Sequence, residues 1–295
     1  RHCLDGQNMK QGQHFDFSYS PTISYQGCRM LLAIAAIRGL ILKILDVENC
    51  FQNDAIEPDQ RLFAVAPPLY LEWFKETYPD IKIDHASDGK YVLQTLNGIQ
   101  GRKDAGRSWY LLLKNILEDF GFHMCPPEPA LFVYYEGNET ILVVTSTDDF
   151  LCACSNDQIF ARLKTHMERF VPVTTQDGKV MKYLNMRIIQ TDEGISIDQT
   201  HHIKTTILDN WFPPKQTEQL KTADTPYRTG SDFERQLETQ LPATGDDLKL
   251  LEKKYGGKYN ALLGQVLHIV QVTRMDLAFS CARFGSFNVA PNEAA

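Results

Sequence analysis

Thr140-Ile141-Leu142-Val143-Val144-Thr145-Ser146-Thr147-Asp148-Asp149-Phe150-Leu151-Cys152-Ala153-Cys154 is the stretch that decides how this chain folds. Apolar β-branched residues lead into two adjacent acids, and apolar residues lead out again. Such runs read as buried strands. Two carboxylates between them belong at the tip of a tight hairpin, where Asp tolerates turn geometry. One strand earlier, Ala130–Tyr135 is a third extended run. It is joined to the first across Glu136-Gly137-Asn138-Glu139, which is also hairpin chemistry.

Outward from this meander, Leu40-Ile41-Leu42-Lys43-Ile44-Leu45-Asp46-Val47 is apolar nearly throughout and reads as a strand covered on both faces. A buried helix over 26–38 precedes it, with Gly39 placed to end that helix. Further elements expected are a strand at 90–96, an amphipathic helix at 104–120 and a helix at 155–170. Strands at 181–190 and 194–198 follow, then a helix at 199–211, a polar linker at 215–247 and a last helix at 249–272. Antiparallel hairpins on a helix-backed sheet make this α+β and not alternating βαβ.

Bulk properties narrow the function classes. Among the 295 residues, 43% are apolar and 23% charged, which suits a folded domain and not a disordered one. The longest apolar stretches are too short to span a bilayer, so no membrane partner is expected. The seven cysteines are scattered without a C-x-x-C pair, which argues against a zinc ribbon and for reduced thiols in an intracellular protein. With 30 basic and 37 acidic residues the net charge is −7, opposite to the usual footprint of a nucleic-acid binder. An acidic chain can still line one cleft with basic residues. The start, Arg1-His2-Cys3, has no initiator Met and no apolar leader, so the chain reads as an excerpt of a longer protein.

Asp148 and Asp149 suit a hard divalent cation. Mg²⁺ is held by oxygen ligands, usually a few carboxylates together with substrate phosphates. Two adjacent like charges are unfavourable unless a cation bridges them. Asp46 ends another apolar strand, and a sheet could bring it beside the hairpin tip. On the residues alone, a solvated turn at Asp148-Asp149 and a helix N-cap at Asp46 fit equally well.

Leu45-Asp46-Val47-Glu48-Asn49-Cys50-Phe51 resembles the first catalytic motif of copia-type long-terminal-repeat retrotransposon reverse transcriptases, and Ser146-Thr147-Asp148-Asp149 resembles their Tyr-Val-Asp-Asp signature, with Ser146 in place of Tyr. Ile99-Gln100-Gly101-Arg102-Lys103-Asp104-Ala105-Gly106-Arg107-Ser108-Trp109-Tyr110 resembles the family's Leu-Tyr-Gly…Pro-Arg-Ala-Trp-Tyr segment. Lys182-Tyr183-Leu184-Asn185-Met186 resembles its primer-gripping strand, with Asn185 where Gly is usual. Glu128-Pro129-Ala130-Leu131-Phe132, Tyr259–Gly264 and Thr273–Phe279 match further elements in the same order.

The resemblance implies a right-hand polymerase fold, with an antiparallel palm sheet backed by helices. Fingers would span 1–25 and 52–103, palm 26–51 and 104–190, and thumb 191–245. A connection segment towards an absent ribonuclease H would start at 246–295. It implies an RNA-directed DNA polymerase that adds dNTPs to a primer on an RNA or DNA template. Asp46, Asp148 and Asp149 would bind two Mg²⁺, with Mn²⁺ as a substitute. Phe51 would act as the steric gate against a 2′-hydroxyl. Gln100, Gly101 and Arg1 would contact the nucleotide, Arg1 standing near a fingers Lys that is cut off. Arg102, Lys103, Arg107, Tyr183, Leu184 and Asn185 would contact nucleic acid. Integrase and ribonuclease H, the neighbouring domains of the family's polyprotein, are not expected within this chain. The family works in cytoplasmic virus-like particles and delivers its product to the nucleus. A decayed or domesticated element fragment, keeping the fold without polymerising, is the alternative that Ser146, Asn185 and the acidic charge favour. A carboxylate-rich hydrolase or calcium module would need neither Phe51 nor the basic run 102–107.

Overall fold

The computed structural model describes residues 3–56, 62–82, 85–212, 223–228 and 230–294. The chain separates into two compact units, Arg1–Gly178 and Lys179–Ala295.

In the first unit, helix α1 (Tyr25–Arg38) is capped by Ser24, whose hydroxyl accepts from the Gly27 N–H at 2.9 Å. It ends at Gly39 in the left-handed conformation, φ 64°. Strand β1 (Ile41–Val47) follows. A small hairpin of β2 (Phe63–Val65) and β3 (Val92–Gln94) is interrupted by helix α2 (Pro68–Thr77). Helix α3 (Ala105–Phe120) leads to β4 (His123–Cys125), β5 (Glu128–Glu136), β6 (Glu139–Ser146) and β7 (Asp149–Cys154). Helix α4 (Asp157–Met167) and β8 (Val173–Gln176) complete the unit. The main sheet has six antiparallel strands in the order β4-β5-β6-β7-β1-β8.

The sheet is covered on both faces, which is why β6 and β7 are apolar without alternation. Alternate side chains Leu45, Val143, Phe150 and Cys152 pack with Trp109, Leu113 and Leu117 of α3 and Ile159, Phe160 and Leu163 of α4 in one buried cluster. The opposite face carries Leu142, Val144, Leu151 and Ala153, all buried, and α1 packs against β6 and β7. Each such large apolar side chain contributes about 1.5–3 kcal/mol on burial. Thus β1, β6 and β7 contribute to the buried core of the unit.

The second unit holds an antiparallel sheet ordered β11-β10-β9, from β9 (Val180–Tyr183), β10 (Met186–Thr191) and β11 (Gly194–Asp198). Helical turns follow at Thr200–His202 and Asp209–Trp211, with a π-helical segment, Ile203–Leu208, between them. Helices Ser231–Thr239, Gly245–Tyr255, Tyr259–Val272 and Ala278–Gly285 complete it.

Three expectations change. The strand expected at 181–190 is two strands, divided by a two-residue turn at Leu184-Asn185. The linker expected at 215–247 contains the helix Ser231–Thr239, and its residues 215–222 lie outside the described ones. The last helix is broken at Gly256, φ 78°, because a left-handed residue cannot continue a right-handed helix. Among the described residues no helix is long and apolar enough to cross a membrane.

Candidate active site

Asp46, Asp148 and Asp149 come together at one end of the main sheet. Antiparallel register pairs Asp46 directly with Asp149 across β1 and β7. Ser146 pairs with Asp149 across β6 and β7, so Thr147 and Asp148 form a two-residue turn. Adjacent in sequence, the two acids therefore differ in setting: Asp149 is half-buried on a strand and Asp148 is exposed on the turn. Thr147 adopts φ 58°, which for a β-branched residue stores about 1–3 kcal/mol of strain. Two donors hold the turn. The Val47 N–H of β1 donates to the Asp148 carbonyl at 3.0 Å, and the Trp109 Nε1–H of α3 donates to the Thr147 carbonyl at 2.7 Å.

The site is electrostatically loaded. Burial, and then the neighbouring negative charges of Asp148 and Asp46, push the Asp149 carboxyl up to about 6. Burial, followed by the Asp148 charge, also raises Asp46. A side-chain hydrogen bond between the pair raises Asp149 and lowers Asp46. Among the described residues no Lys or Arg forms an ion pair with any of the three. Clustered carboxylates with no basic partner are the donor set that a hard divalent cation fits. The described residues contain no ready-made cage of three or more His, Cys, Asp or Glu side chains. Asp46, Asp148 and Asp149 therefore do not by themselves make a three-ligand cation site.

Phe51 lies in the 3₁₀ turn Cys50–Asn53, entered through Asn49 at φ 49°, and packs half-buried against the core cluster. Its carbonyl would be only 2.2 Å from a Cβ on Gly98, so Gly98 is needed for the close approach of the two segments. Gln100 and Gly101 face the start of the chain. The Gln100 carbonyl accepts from the Leu4 N–H at 2.8 Å, and a Cβ on Gly101 would lie 1.9 Å from the Leu4 carbonyl. Arg1 lies outside the described residues.

The basic run does structural work at this point in the fold. Arg102 is buried, and its Nε and Nη2 donate to the two oxygens of Asp104 at 2.9 and 2.6 Å. Lys103 Nζ donates to the Met9 carbonyl at 2.9 Å, and Arg107 donates to the Tyr19 carbonyl at 3.4 Å while its guanidinium lies over the Phe17 ring. These side chains fasten the segment from Gln7 to Tyr19 against the entry to α3. Tyr183, Leu184 and Asn185 belong to the second unit. There Tyr183 is buried, and Leu184 and Asn185 form the β9–β10 turn with φ of 45° and 61°.

Three residues have structural roles that the sequence reading did not assign: Trp109 and Thr147, which entered only as members of motifs, and Gly98. The contact of Trp109 with Thr147 spans 38 residues, and only the sheet-on-helix packing reveals it.

A family model described as reverse transcriptase (RNA-dependent DNA polymerase) matches residues 1–217. The retrovirus-related Pol polyprotein from transposon RE2 of Arabidopsis thaliana is 23% identical over 292 residues, covering 98% of this chain and 17% of that polyprotein. The corresponding polyprotein from transposon RE1 of the same plant is 23% identical over 200 residues, covering 67% of this chain and 12% of that one. The chain thus spans a small fraction of the curated relatives it matches. Among solved structures, telomerase from Candida albicans in complex with a fragment of telomeric RNA matches at 10% identity and a TM-score of 0.32, covering 93% of this chain and 51% of that one.

Proposed function

Since the chain belongs to the reverse transcriptase (RNA-dependent DNA polymerase) family, in its copia-type retrotransposon branch, we propose that it extends a primer 3′-end with dNTPs on an RNA or DNA template. The observation that carries this reading is the register pairing of Asp46 with Asp149, with Asp148 on the adjoining turn, three carboxylates without a basic ion-pair partner among the described residues.

In the reaction, the primer 3′-oxygen bonds to the α-phosphorus of the dNTP as the bond from that phosphorus to pyrophosphate breaks. Two Mg²⁺ ions, when bound, would lower the barrier by activating that oxygen and neutralising the leaving pyrophosphate. Asp46, Asp148 and Asp149 would hold them. Strand register and the two clamped carbonyls fix the carboxylates before substrate arrives, and such positioning supplies much of the rate in phosphoryl transfer. Phe51, held from behind by the Gly98 contact, would lie under the incoming sugar and exclude a 2′-hydroxyl. Gln100 and Gly101, and Arg1 beyond the described residues, would contact the nucleotide. Lys103, Arg107 and the Leu184-Asn185 turn would meet the nucleic acid, with the buried Arg102 and Tyr183 acting through the shape they give their loops. The division into fingers (1–25, 52–103), palm (26–51, 104–190), thumb (191–245) and connection (246–295) follows the same reading. So do neighbouring integrase and ribonuclease H domains, and work in cytoplasmic particles with later nuclear delivery.

Ser146 in the place of the family's Tyr supports a second reading, a fragment that keeps the fold and binds nucleic acid or a partner without polymerising. One assay separates the two: primer extension on an RNA template with Mg²⁺, beside an Asp148→Asn variant. Extension by the parent that disappears in the variant is the expected result. Absence of extension by the parent would leave the non-polymerising reading.

A further inference from the structure

We propose that Trp109 is a positioning residue for the carboxylate turn, its indole N–H holding Thr147 in a conformation that the turn would otherwise leave. The inference rests on the polymerase reading for its consequence, but its geometry stands by itself.

Trp109 is 1% exposed and sits in the first turns of α3. That helix is anchored on the sheet by Leu113, Ile116 and Leu117, which share the same buried cluster. The indole is therefore a fixed point. Its Nε1–H reaches out of the apolar core to one acceptor, the Thr147 carbonyl, at 2.7 Å. Thr147 is the first of two turn residues and takes φ 58°, a region that β-branched residues avoid. A strained backbone persists only where its surroundings over-determine it. Here those surroundings are two hydrogen bonds from different elements: the indole onto Thr147, and the Val47 N–H onto Asp148. The second comes from the strand that carries Asp46. The two bonds thus tie the acids of the turn to α3 on one side and to the acid of β1 on the other. Removing the indole bond frees the turn to relax and leaves a part-buried carbonyl without its donor, while the strand pairs Ser146–Asp149 and Asp46–Asp149 remain. The expected effect falls on where the Asp148 carboxylate points, and so on cation affinity, more than on the fold.

Trp109→Phe keeps an aromatic ring and deletes the N–H. Mn²⁺ binding, titrated by electron paramagnetic resonance without nucleic acid, should weaken about five-fold, the equivalent of one lost hydrogen bond. Adding Thr147→Gly, which accepts positive φ without strain, should restore affinity to within about two-fold of the parent. A packing role predicts otherwise: Trp109→Phe would lower thermal stability with Mn²⁺ affinity unchanged, or Thr147→Gly would add its own loss in place of a rescue. Either result overturns the proposal.

Should Trp109→Phe fail to fold, the parent protein supplies the test. Its three indole signals in a ¹⁵N-tryptophan spectrum are assigned by elimination with Trp73→Phe and Trp211→Phe. The Trp109 indole hydrogen should exchange far more slowly than that of Trp73, which is 51% exposed; equal rates would refute the clamp. A parent that binds no Mn²⁺ would sink the polymerase reading of the carboxylates. The clamp would then still be judged by indole exchange and by a thermal double-mutant cycle over Trp109→Phe and Thr147→Gly, where simple additivity refutes it.

Discussion

Replacing Asp149 by Asn should make the protein more stable at neutral pH while disabling the site. In the fold, burial and the charges of Asp148 and Asp46 lift the Asp149 carboxyl from the usual 3.8 to about 6. A carboxyl whose folded-state pKa lies above its unfolded value favours the fold while it is protonated, below about pH 4. That advantage is lost as pH rises through 6, when the folded chain must carry a charge the unfolded chain carries more easily. At 1.36 kcal/mol per pH unit the full gap would be ~3 kcal/mol. Asp149 is half-buried, so water screens part of this, and ~1–1.5 kcal/mol is a fair expectation for the penalty at pH 7.5. Asn keeps the shape, can donate to Asp46 as the protonated acid does, and never ionises. Thermal unfolding in EDTA should therefore show Asp149→Asn melting about 3–5 °C above the parent at pH 7.5. The gain should fall to about a third of that by pH 4.5. Millimolar Mg²⁺ or Mn²⁺ should narrow it, because the cation relieves repulsion only in the parent. A gain of equal size at both pH values, or none at pH 7.5, would show that Asp149 is not held in a repulsive cluster.

Four further outcomes are expected. Arg102→Met should cost about 3 kcal/mol in urea unfolding, since it strands the part-buried Asp104 carboxylate without its two-pronged partner, and Arg102→Lys should recover less than half of that. Gly98→Ala should cost about 1–3 kcal/mol and raise the KM for dNTPs, because its Cβ would lie 2.2 Å from the Phe51 carbonyl and push that residue away. Phe51→Ala should raise ribonucleotide incorporation relative to dNTPs by roughly 10- to 200-fold in single-nucleotide extension, and an unchanged ratio would remove Phe51 as the gate. Leu184→Asn, at φ 45° in the β9–β10 turn, should raise the melting temperature by about 3 °C, since Asn tolerates the left-handed region that costs Leu about 1–2 kcal/mol.

The meander and its two acids were readable because their signals are local. Apolar runs of strand length, Gly137-Asn138 between two of them and Asp148-Asp149 between the next two leave little choice of topology. Helices α1 and α3 were readable because glycines at 39 and 121 stop them in the left-handed region. The β9–β10 turn was hidden because Leu184 and Asn185 occupy positions where Gly is the usual marker. The helix Ser231–Thr239 was hidden because only Phe233 and Leu237 mark its apolar face in an otherwise polar segment. In the site, sequence suggested that Asp46 could reach the hairpin tip. Its opposition to Asp149 depends on strand pairing across about a hundred residues, which no local pattern encodes. By resemblance, Arg102, Lys103 and Arg107 were expected to contact nucleic acid. Their neighbours along the chain gave no hint that Phe15, Phe17 and the carbonyls of Met9 and Tyr19 would draw side chains of this run inward.

The hairpin between Ser146 and Asp149 has no slack, and this bears on how the gene can change. Side chains on a strand alternate between faces, so a one-residue slip sends every one of them to the opposite side. A codon gained between 146 and 149, or the loss of codon 147, would leave both aspartates in the translated product and barely alter its composition. Either change would nonetheless set a different residue opposite Asp46, or force β7 to turn its Phe150 and Cys152 away from α3. Drift by substitution can wear this site down gradually; drift by insertion or deletion would extinguish it in one step.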